Sequence, residues 1–273
     1  SATVAASPSD VFSDGASHLV QITVSGLLDS DGVTPVPDGS KIALSAINCA
    51  ALNQSNGCIG SAGGQILSAG TSPGDGAPVD GNPSFALFTV AGGQVHAAYA
   101  DQGVVTGISQ TQTANITVRI LNSNGDFLDN HAIGVGSVNL HGATSATASG
   151  PATLSISNGD QGTVTFSGIK DSAGNAVPDG TVMIATVLNC GSLNQSNGCN
   201  GSSGGTIVDG TTASWHPSFK QFTVRNGSIT VTYSAVGASP GTAQVQLLPG
   251  KPDGFEIDNH SLLGGVWAIS TTP

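Results

Sequence analysis

Apolar and polar residues alternate along several short segments of the chain. A period of two places every second side chain on the same face of an extended strand, so one face can be buried while the other contacts water. The pattern therefore predicts short β-strands with one apolar face. The apolar positions that share a face are Val20, Ile22 and Val24; Val95, Ala97 and Tyr99; Ile116, Val118 and Ile120; Val164 and Phe166; Ile229, Val231 and Tyr233; and Val245 and Leu247.

Turn-forming dipeptides separate these segments. Asn-Gly and Asp-Gly tolerate the positive φ that tight hairpin turns require. Helical spacing free of Gly and Pro does not extend over any long stretch of the sequence. The spacing predicts an all-β chain folded as antiparallel sandwiches, with about seven short strands in each. The dipeptides lie at residues 31–32, 38–39, 56–57, 124–125, 158–159, 197–198 and 226–227.

The second half of the chain repeats the first. Residues 36–58 and 177–199 are identical at 13 of 23 positions when they are aligned at an offset of 141 residues. Shorter matches follow further along both halves. A repeat of this length can form a full domain with its own core. We therefore predict two tandem domains, residues 1–145 and residues 146–273.

Two segments of the second copy carry motifs of a known family. Residues 170–186 read KDSAGNAVPDGTVMIAT, and residues 224–247 read VRNGSITVTYSAVGASPGTAQVQL. They resemble two stretches of bacterial Ig-like domains of the invasin/intimin type, D-x-x-G-N-x-V-P-D-G-T and N-G-x-x-x-V-x-Y…P-G-T-A-x-V. Residues 29–42 keep the first motif less faithfully. The resemblance implies two tandem immunoglobulin-like antiparallel β-sandwiches in an extracellular stalk, spacer or adhesive protein, without catalysis.

The charge of the chain disfavours two classes of partner. Six Lys and Arg residues stand against 17 Asp and Glu residues, which gives a formal net charge of −11. Such a chain repels a phosphate backbone, and no basic stripe compensates for this. No apolar run reaches the roughly 18 residues that cross a bilayer. We therefore expect neither nucleic acid binding nor membrane insertion.

Four cysteines form two pairs with the same spacing. Eight residues separate Cys49 from Cys58, and eight separate Cys190 from Cys199. An even number of cysteines in a Gly- and Ser-rich chain with few charges indicates two local disulfides and an oxidising, extracellular compartment. Zinc binding is the alternative. Neither pair, however, has the short C-x₂₋₄-C spacing of a zinc site or a neighbouring His pair.

Other motifs indicate chemistry only weakly. Residues 201–205 match the G-x-S-x-G pattern of hydrolase nucleophiles, but the first copy has Ala62 at the nucleophile position. The triplet Asp-Asn-His recurs at residues 129–131 and 258–260, and a shared turn explains it better than a metal or acid–base site. We predict no catalytic residue, no metal site and no cofactor. The acidic residues that leave calcium binding open are Asp29, Asp31, Asp171 and those of the loop 75–80.

The composition and the resemblance together favour a structural role outside the cell. We predict a secreted subunit that assembles head to tail into a filament or surface fibre by strand addition at a sheet edge. The alternative is a monomeric adhesin or stalk that binds a cell-surface ligand through its loops. The candidate donor segments are residues 2–12 and 262–270. Their candidate interface residues are Val4, Val11, Phe12, Leu262, Val266, Trp267 and Ile269.

Overall fold

The chain forms two compact all-β units in the computed structural model, with no helix among the residues that the model describes. The described residues up to Leu140 form unit 1, and those from His141 to Pro273 form unit 2. The sequence places the domain boundary slightly later, after residue 145. The described residues are 1–16, 18–47, 64–70, 75–79, 82–101, 112–122, 131–188, 204–213, 219–255, 257 and 260–273.

Ten strands form the two sheets of unit 1. Their bounds are β1 (Thr3–Ser7), β2 (Asp10–Phe12), β3 (Leu19–Ser25), β4 (Lys41–Ile47), β5 (Gln65–Ser68), β6 (Ala77–Val79), β7 (Asn82–Thr89), β8 (Val95–Ala100), β9 (Gln112–Ile120) and β10 (Gly134–His141). A four-stranded sheet has the order β1-β3-β8-β5. A six-stranded sheet has the order β2-β10-β9-β4-β7-β6.

Unit 2 repeats this topology strand for strand. Its strands are β11 (Ala143–Ser149), β12 (Thr153–Ser155), β13 (Gln161–Asp171), β14 (Val182–Leu188), β15 (Thr206–Ile207), β16 (Thr211–Thr212), β17 (Lys220–Thr223), β18 (Ser228–Ser234), β19 (Gly241–Pro249) and β20 (Val266–Thr272). The sheets have the orders β11-β13-β18-β15 and β12-β20-β19-β14-β17-β16. Apart from the parallel pair β12–β20, the strand pairs of unit 2 with a described register are antiparallel. The two tandem immunoglobulin-like sandwiches predicted from the sequence are thus confirmed.

The alternation in the sequence marks the inner faces of the sheets. Val20, Ile22 and Val24 are at most 1% exposed, while Leu19 and Gln21 on the same strand are exposed. Burial of the apolar face stabilises this arrangement of the strand, because apolar surface removed from water contributes about 25 cal/mol per Å². The predicted core faces of β8, β13, β18 and β19 are confirmed in the same way, and on β9 Ile116 and Val118 are buried while Ile120 is partly buried against the core.

The number of strands differs from the prediction of about seven per unit. Unit 1 has ten strands, and four of them are the edge strands of its two sheets: β1, β2, β5 and β6. β5 and β6 come from the segment that precedes Phe85. An edge strand has one neighbour and is short and partly exposed, so the periodic signal in its sequence is weak.

A tyrosine and a glycine meet in the same way in both units. The rings of Tyr99 and Tyr233 are fully buried. A Cβ atom added to Gly64 would lie 2.5 Å from Cε2 of Tyr99, and one added to Gly205 would lie 2.7 Å from the hydroxyl of Tyr233. Both glycines also have positive φ. Each of these positions therefore requires glycine for two reasons: the positive φ of the backbone and the close approach of the tyrosine ring.

The two units fill one equivalent core corner differently. Gly136 on β10 and Trp267 on β20 occupy equivalent positions in the two units. Each of them pairs with the equivalent residue of the neighbouring strand, which is β9 in unit 1 and β19 in unit 2. In unit 1 a Cβ atom on Gly136 would lie 2.7 Å from Cγ1 of Val4. In unit 2 a Cβ atom on Gly150 would lie 3.0 Å from Nε1 of Trp267. In each unit a side chain thus approaches a glycine closely, which keeps the packing dense.

Replacing Tyr99 by Phe should leave unit 1 as stable as before or more stable, by about 1 kcal/mol. The hydroxyl is buried without a hydrogen-bond partner, so its desolvation is not compensated. Tyr233→Phe should behave in the same way in unit 2, since that hydroxyl is also buried and unpaired. Urea denaturation of the two variants checks this. A loss of stability in both would mean that the hydroxyls contribute an interaction that the structure does not contain.

Replacing Trp267 by Ala should destabilise unit 2 by about 2–4 kcal/mol, at the lower part of the range for buried aromatic truncation because the ring is only partly buried. Gly150→Ala should cost more in the wild-type chain than in the Trp267→Ala chain, since the added methyl group meets the indole ring only in the former. A double-mutant cycle by chemical denaturation measures this coupling. Equal costs in both backgrounds would contradict the contact.

Candidate functional site: sheet edges and an acidic cluster

The first predicted donor segment lies in unit 1. Val4 belongs to β1, which pairs with β3, and Val11 and Phe12 belong to β2 at the edge of the six-stranded sheet. Val4 and Val11 pack against the core of unit 1. The ring of Phe12 contacts the imidazole of His18 edge-on, with centroids 6.5 Å apart. In the structure of the single chain this segment completes its own unit.

The second predicted donor segment is integrated into unit 2. Val266, Trp267 and Ile269 belong to β20, which lies between β12 and β19. Leu262 precedes the strand and is buried. The indole Nε1 of Trp267 donates a hydrogen bond to the Pro151 carbonyl at 2.9 Å. These residues are therefore core and sheet residues of their own unit, and their predicted role between copies stays a prediction.

Several predicted features lie outside the described residues. Cys49, Cys58, Cys190 and Cys199 are among them, so the two local disulfides stay predictions. The serine of the G-x-S-x-G match and most of both Asp-Asn-His triplets also lie outside. Within the described ranges, no group of three or more His, Cys, Asp or Glu side chains is arranged to hold a metal ion.

The carboxylates considered for calcium accept hydrogen bonds from their own turns. Asp31 accepts from the hydroxyl and N–H of Thr34 and from the N–H of Val33, and these bonds lower the pKa of Asp31 to about 2. Asp171 accepts from the backbone of Ala173 and Asn175. Carboxylates occupied in this way stabilise turns, and they give no support to a calcium site.

The V-P-D-G motif has a structural role that recurs in both units. Asp38 accepts the N–H of Gly93, in the turn between β7 and β8, at 2.9 Å. That bond lowers the pKa of Asp38. Asp179 accepts the N–H of Gly227 in the equivalent turn. The motif thus connects two turns at one end of each sandwich.

An acidic cluster in unit 1 was not predicted from the sequence. Asp101 follows β8 and is 0% exposed, and Asp14 and Ser13 of the β2–β3 connection are also buried. The N–H of Gly15 donates to Oδ2 of Asp101 at 3.4 Å. Nε2 of His18 lies 3.0 Å from Oδ1 of Asp14. The cluster connects the end of the four-stranded sheet to the β2–β3 connection.

The Asp101 carboxylate is incompletely compensated. Its Oδ1 atom and the Ser13 hydroxyl are buried without a hydrogen-bond partner of good geometry. Burial raises the pKa of Asp101, and the charge of Asp14 raises it further, while the nearby Ser13 hydroxyl, His18 and the Gly15 N–H lower it. A buried carboxyl of this kind is stabilised by taking up a proton.

Unit 2 does not repeat the cluster. Tyr99 and Tyr233 occupy equivalent positions on β8 and β18, so Ala235 is the counterpart of Asp101. By the same alignment Asp160 is the counterpart of His18. The sequence does contain a signal for this cluster. Continuing the alternation of Val95, Ala97 and Tyr99 by two residues places Asp101 on the core face, where an acid is unusual.

The four edges of unit 1 differ in their capacity to add a strand. β1 pairs with β3 at five consecutive positions without a register shift, and it contains no charged residue. β5 is also uncharged. β2 contains Asp10, and β6 is three residues long with Pro78 at its centre. Charge, proline and short length all protect an edge from pairing. The outward sides of β1 and β5 are covered from the other sheet, since the Ala2 N–H donates to the Ile133 carbonyl at 2.8 Å and the Ser84 hydroxyl donates to the Gly64 carbonyl at 2.7 Å.

The comparisons with known proteins give no family. No family model and no curated protein matches the sequence. Among solved structures, the chain is similar to the human F-spondin reeler domain, at 8% identity and a TM-score of 0.32, over 51% of this chain and 86% of that one. It is similar to BcpA, the major pilin subunit of Bacillus cereus, at 10% identity and a TM-score of 0.32, over 100% of this chain and 68% of that one.

A third similar structure comprises the FN1–FN3 domains of chicken CNTN1, at 10% identity and a TM-score of 0.29, over 100% of this chain and 64% of that one. These low TM-scores carry no argument about function. The specific resemblance to invasin and intimin domains stays a prediction. Among the described residues, no helix is long and apolar enough to cross a membrane.

Replacing Asp101 by Asn should increase the free energy of unfolding of unit 1, and this increase should be larger at pH 7 than at pH 3. Because the pKa of Asp101 is raised by folding, the folded state binds the proton more tightly than the unfolded state, where the pKa is about 3.9. The resulting stability is present at acid pH and is lost as the pH rises through the folded pKa. Asparagine removes this dependence. Urea denaturation at pH 3, 5 and 7 measures the difference.

Asp31→Asn provides a control of opposite sign. The lowered pKa of Asp31 contributes stability above the unfolded pKa, and that stability is lost as the pH falls towards about 2. This variant should therefore lose stability relative to wild type at pH 7 and approach wild type at low pH. If Asp101→Asn were less stable than wild type at neutral pH, the conclusion that the Asp101 carboxylate is buried without sufficient compensation would be wrong.

Proposed function

We propose that the protein is an extracellular structural subunit, built from two Ig-like sandwiches, that self-assembles into a filament or surface fibre and catalyses no reaction. The main support for the proposal is the set of structural features that the two copies share. Both units preserve the sheet order and the contacts that hold turns and core together. Each copy therefore keeps a complete core of its own, which suits a modular structural protein.

The acidic cluster gives little support to an enzyme. Asp101 and Asp14 interact electrostatically, and both are almost completely buried. A catalytic acid or base must reach a substrate atom within hydrogen-bond distance. The cluster instead faces the β2–β3 connection and joins that segment to β8, which is a structural role.

An extracellular location is supported by the predicted disulfides and by the surface chemistry. Only 8% of residues are charged, and the exposed positions of the four-stranded sheet of unit 2 are mainly Ser and Thr. Neutral polar sheet faces keep like charges away from these faces, although the chain as a whole carries a formal net charge of −11. This surface is compatible with the close packing of many copies.

The purified chain of 273 residues should form filaments that are visible by negative-stain electron microscopy, with a large species in sedimentation velocity experiments. Ile22→Asp provides the control, since Ile22 is buried in the core of unit 1 and a charge there should unfold the unit. Filaments built from folded units should be absent in this variant. A monomer at all concentrations would overturn the filament and favour the monomeric adhesin or stalk. Filaments that persist in Ile22→Asp would show aggregation of unfolded chains.

A further inference from the structure

A hairpin turn of unit 2 contains an acceptor motif for N-linked glycans. The motif is Asn-x-Ser or Asn-x-Thr, where the middle residue is not proline. It occurs six times in the sequence, and two of the six lie within the described residues, headed by Asn115 and Asn226. Glycosylation of a folded chain needs an accessible Asn amide and an accessible hydroxyl two residues later. The structure therefore separates these two motifs.

The motif at Asn115 is part of a central strand. Asn115 lies on β9, which has β10 on one side and β4 on the other. The next two residues, Ile116 and Thr117, are 0% and 1% exposed. The Thr117 hydroxyl is hydrogen-bonded to the hydroxyl of Ser45. An enzyme could reach this motif only if β9 left the sheet, so the folded unit 1 protects it.

The motif at Asn226 forms the tip of the hairpin between β17 and β18. Arg225 and Ser228 exchange two backbone hydrogen bonds of 3.0 Å across this turn. Asn226 and Gly227 have φ angles of 50° and 67°, as a type I′ turn requires. Within the described part of the chain, Asn226 is the only residue other than glycine with a positive φ. Its side chain is exposed.

The hydroxyl of the motif lies at the same turn. Ser228 is partly exposed, and its hydroxyl donates a hydrogen bond to the Asn226 carbonyl at 3.4 Å. Asp179 accepts the N–H of Gly227 at 3.4 Å and holds the backbone of the turn. The turn thus presents the amide and the hydroxyl together, on a hairpin that both backbone bonds and a carboxylate keep in place.

Unit 1 contains the same turn without the motif. Ala91 and Gln94 exchange backbone hydrogen bonds of 3.0 and 3.1 Å, and Asp38 accepts the N–H of Gly93. Gly92 and Gly93 have φ angles of 59° and 71°. Glycine replaces the acceptor, and Gln94 replaces the serine. The fold does not require Asn-Gly-Ser at this place, so unit 1 provides a matched background for a test.

We propose that Asn226 is the acceptor of an N-linked glycan. In this reaction the amide nitrogen of the side chain forms a bond to the anomeric carbon of an oligosaccharide. The bond from that carbon to a lipid diphosphate breaks, the amide loses a proton, and the lipid diphosphate leaves. The glycan would cover this end of unit 2 with a bulky hydrophilic group. The proposal rests on the extracellular location in the proposed function and not on filament formation.

Incubation of the folded chain with an oligosaccharyltransferase and a lipid-linked oligosaccharide tests the site. Site-resolved mass spectrometry should find a glycan on Asn226 and none on Asn115. A peptide of residues 112–120 should accept a glycan at Asn115, because only the fold protects that motif. Asn158 is an internal control. It lies in an exposed Asn-Gly turn, but Asp160 occupies the hydroxyl position, so it should stay unmodified.

Two sets of variants test the two parts of the argument. Ser228→Ala should lose the glycan at Asn226, while Ser228→Thr should keep it, since only the hydroxyl is needed. Gly92→Asn combined with Gln94→Ser should create a glycan site in unit 1. A Cβ atom on Gly92 meets nothing within 4 Å, and asparagine tolerates the positive φ. Thermal unfolding of each variant checks that the units remain folded.

Three results would overturn the site. The first is a folded chain without a glycan on Asn226 when a peptide of residues 222–232 accepts one, because the turn would then hide the motif. The second is a chain and a peptide that both stay unmodified. The third is a glycan on Asn115 of the folded chain, since burial would not decide. Filament formation is measured on the unmodified chain, so its failure leaves this result unchanged.

Discussion

The fold depends on the burial of one face of each sheet against the other. In each unit the inner face of a four-stranded sheet packs on the inner face of a six-stranded sheet, and side chains on alternate positions fill the space between them. This constraint fixes the register of the strands, since a shift by one residue would move every apolar side chain to the solvent face. It also determines which residues are left for edges and turns.

The duplication shows which features the sandwich requires and which it tolerates. The close approach of a buried tyrosine ring to a glycine occurs in both units, as does the bond from an aspartate to a neighbouring turn. The corner that contains Trp267 in unit 2 is filled by Val4 in unit 1. Equivalent positions of one fold can thus carry side chains of very different size when the neighbouring positions differ as well.

Edges are the part of a β-sandwich that can act on other molecules without a binding pocket. Unit 2 protects its four-stranded sheet with bulges in β11 and with a very short β15. Unit 1 has a regular β1 and an uncharged β5 in the same places. Two copies of one fold thus differ in the regularity of their edge strands, although their cores obey the same packing rule. The acidic cluster around Asp101 adds a pH-dependent contribution to unit 1 alone.

Much of the fold could be predicted from the amino-acid sequence. Alternation identified the core strands such as β3 and β8, and the repeat of 141 residues identified the two domains, because both signals are local and periodic. The edge strands and the acidic cluster were decided by tertiary structure. β5 pairs in the sheet with β8 alone, and Asp101 is buried at the end of β8 beside Ser13, Asp14 and His18, which are distant in sequence. Contacts between segments this far apart leave no periodic pattern in the chain, so only the packed structure determines them.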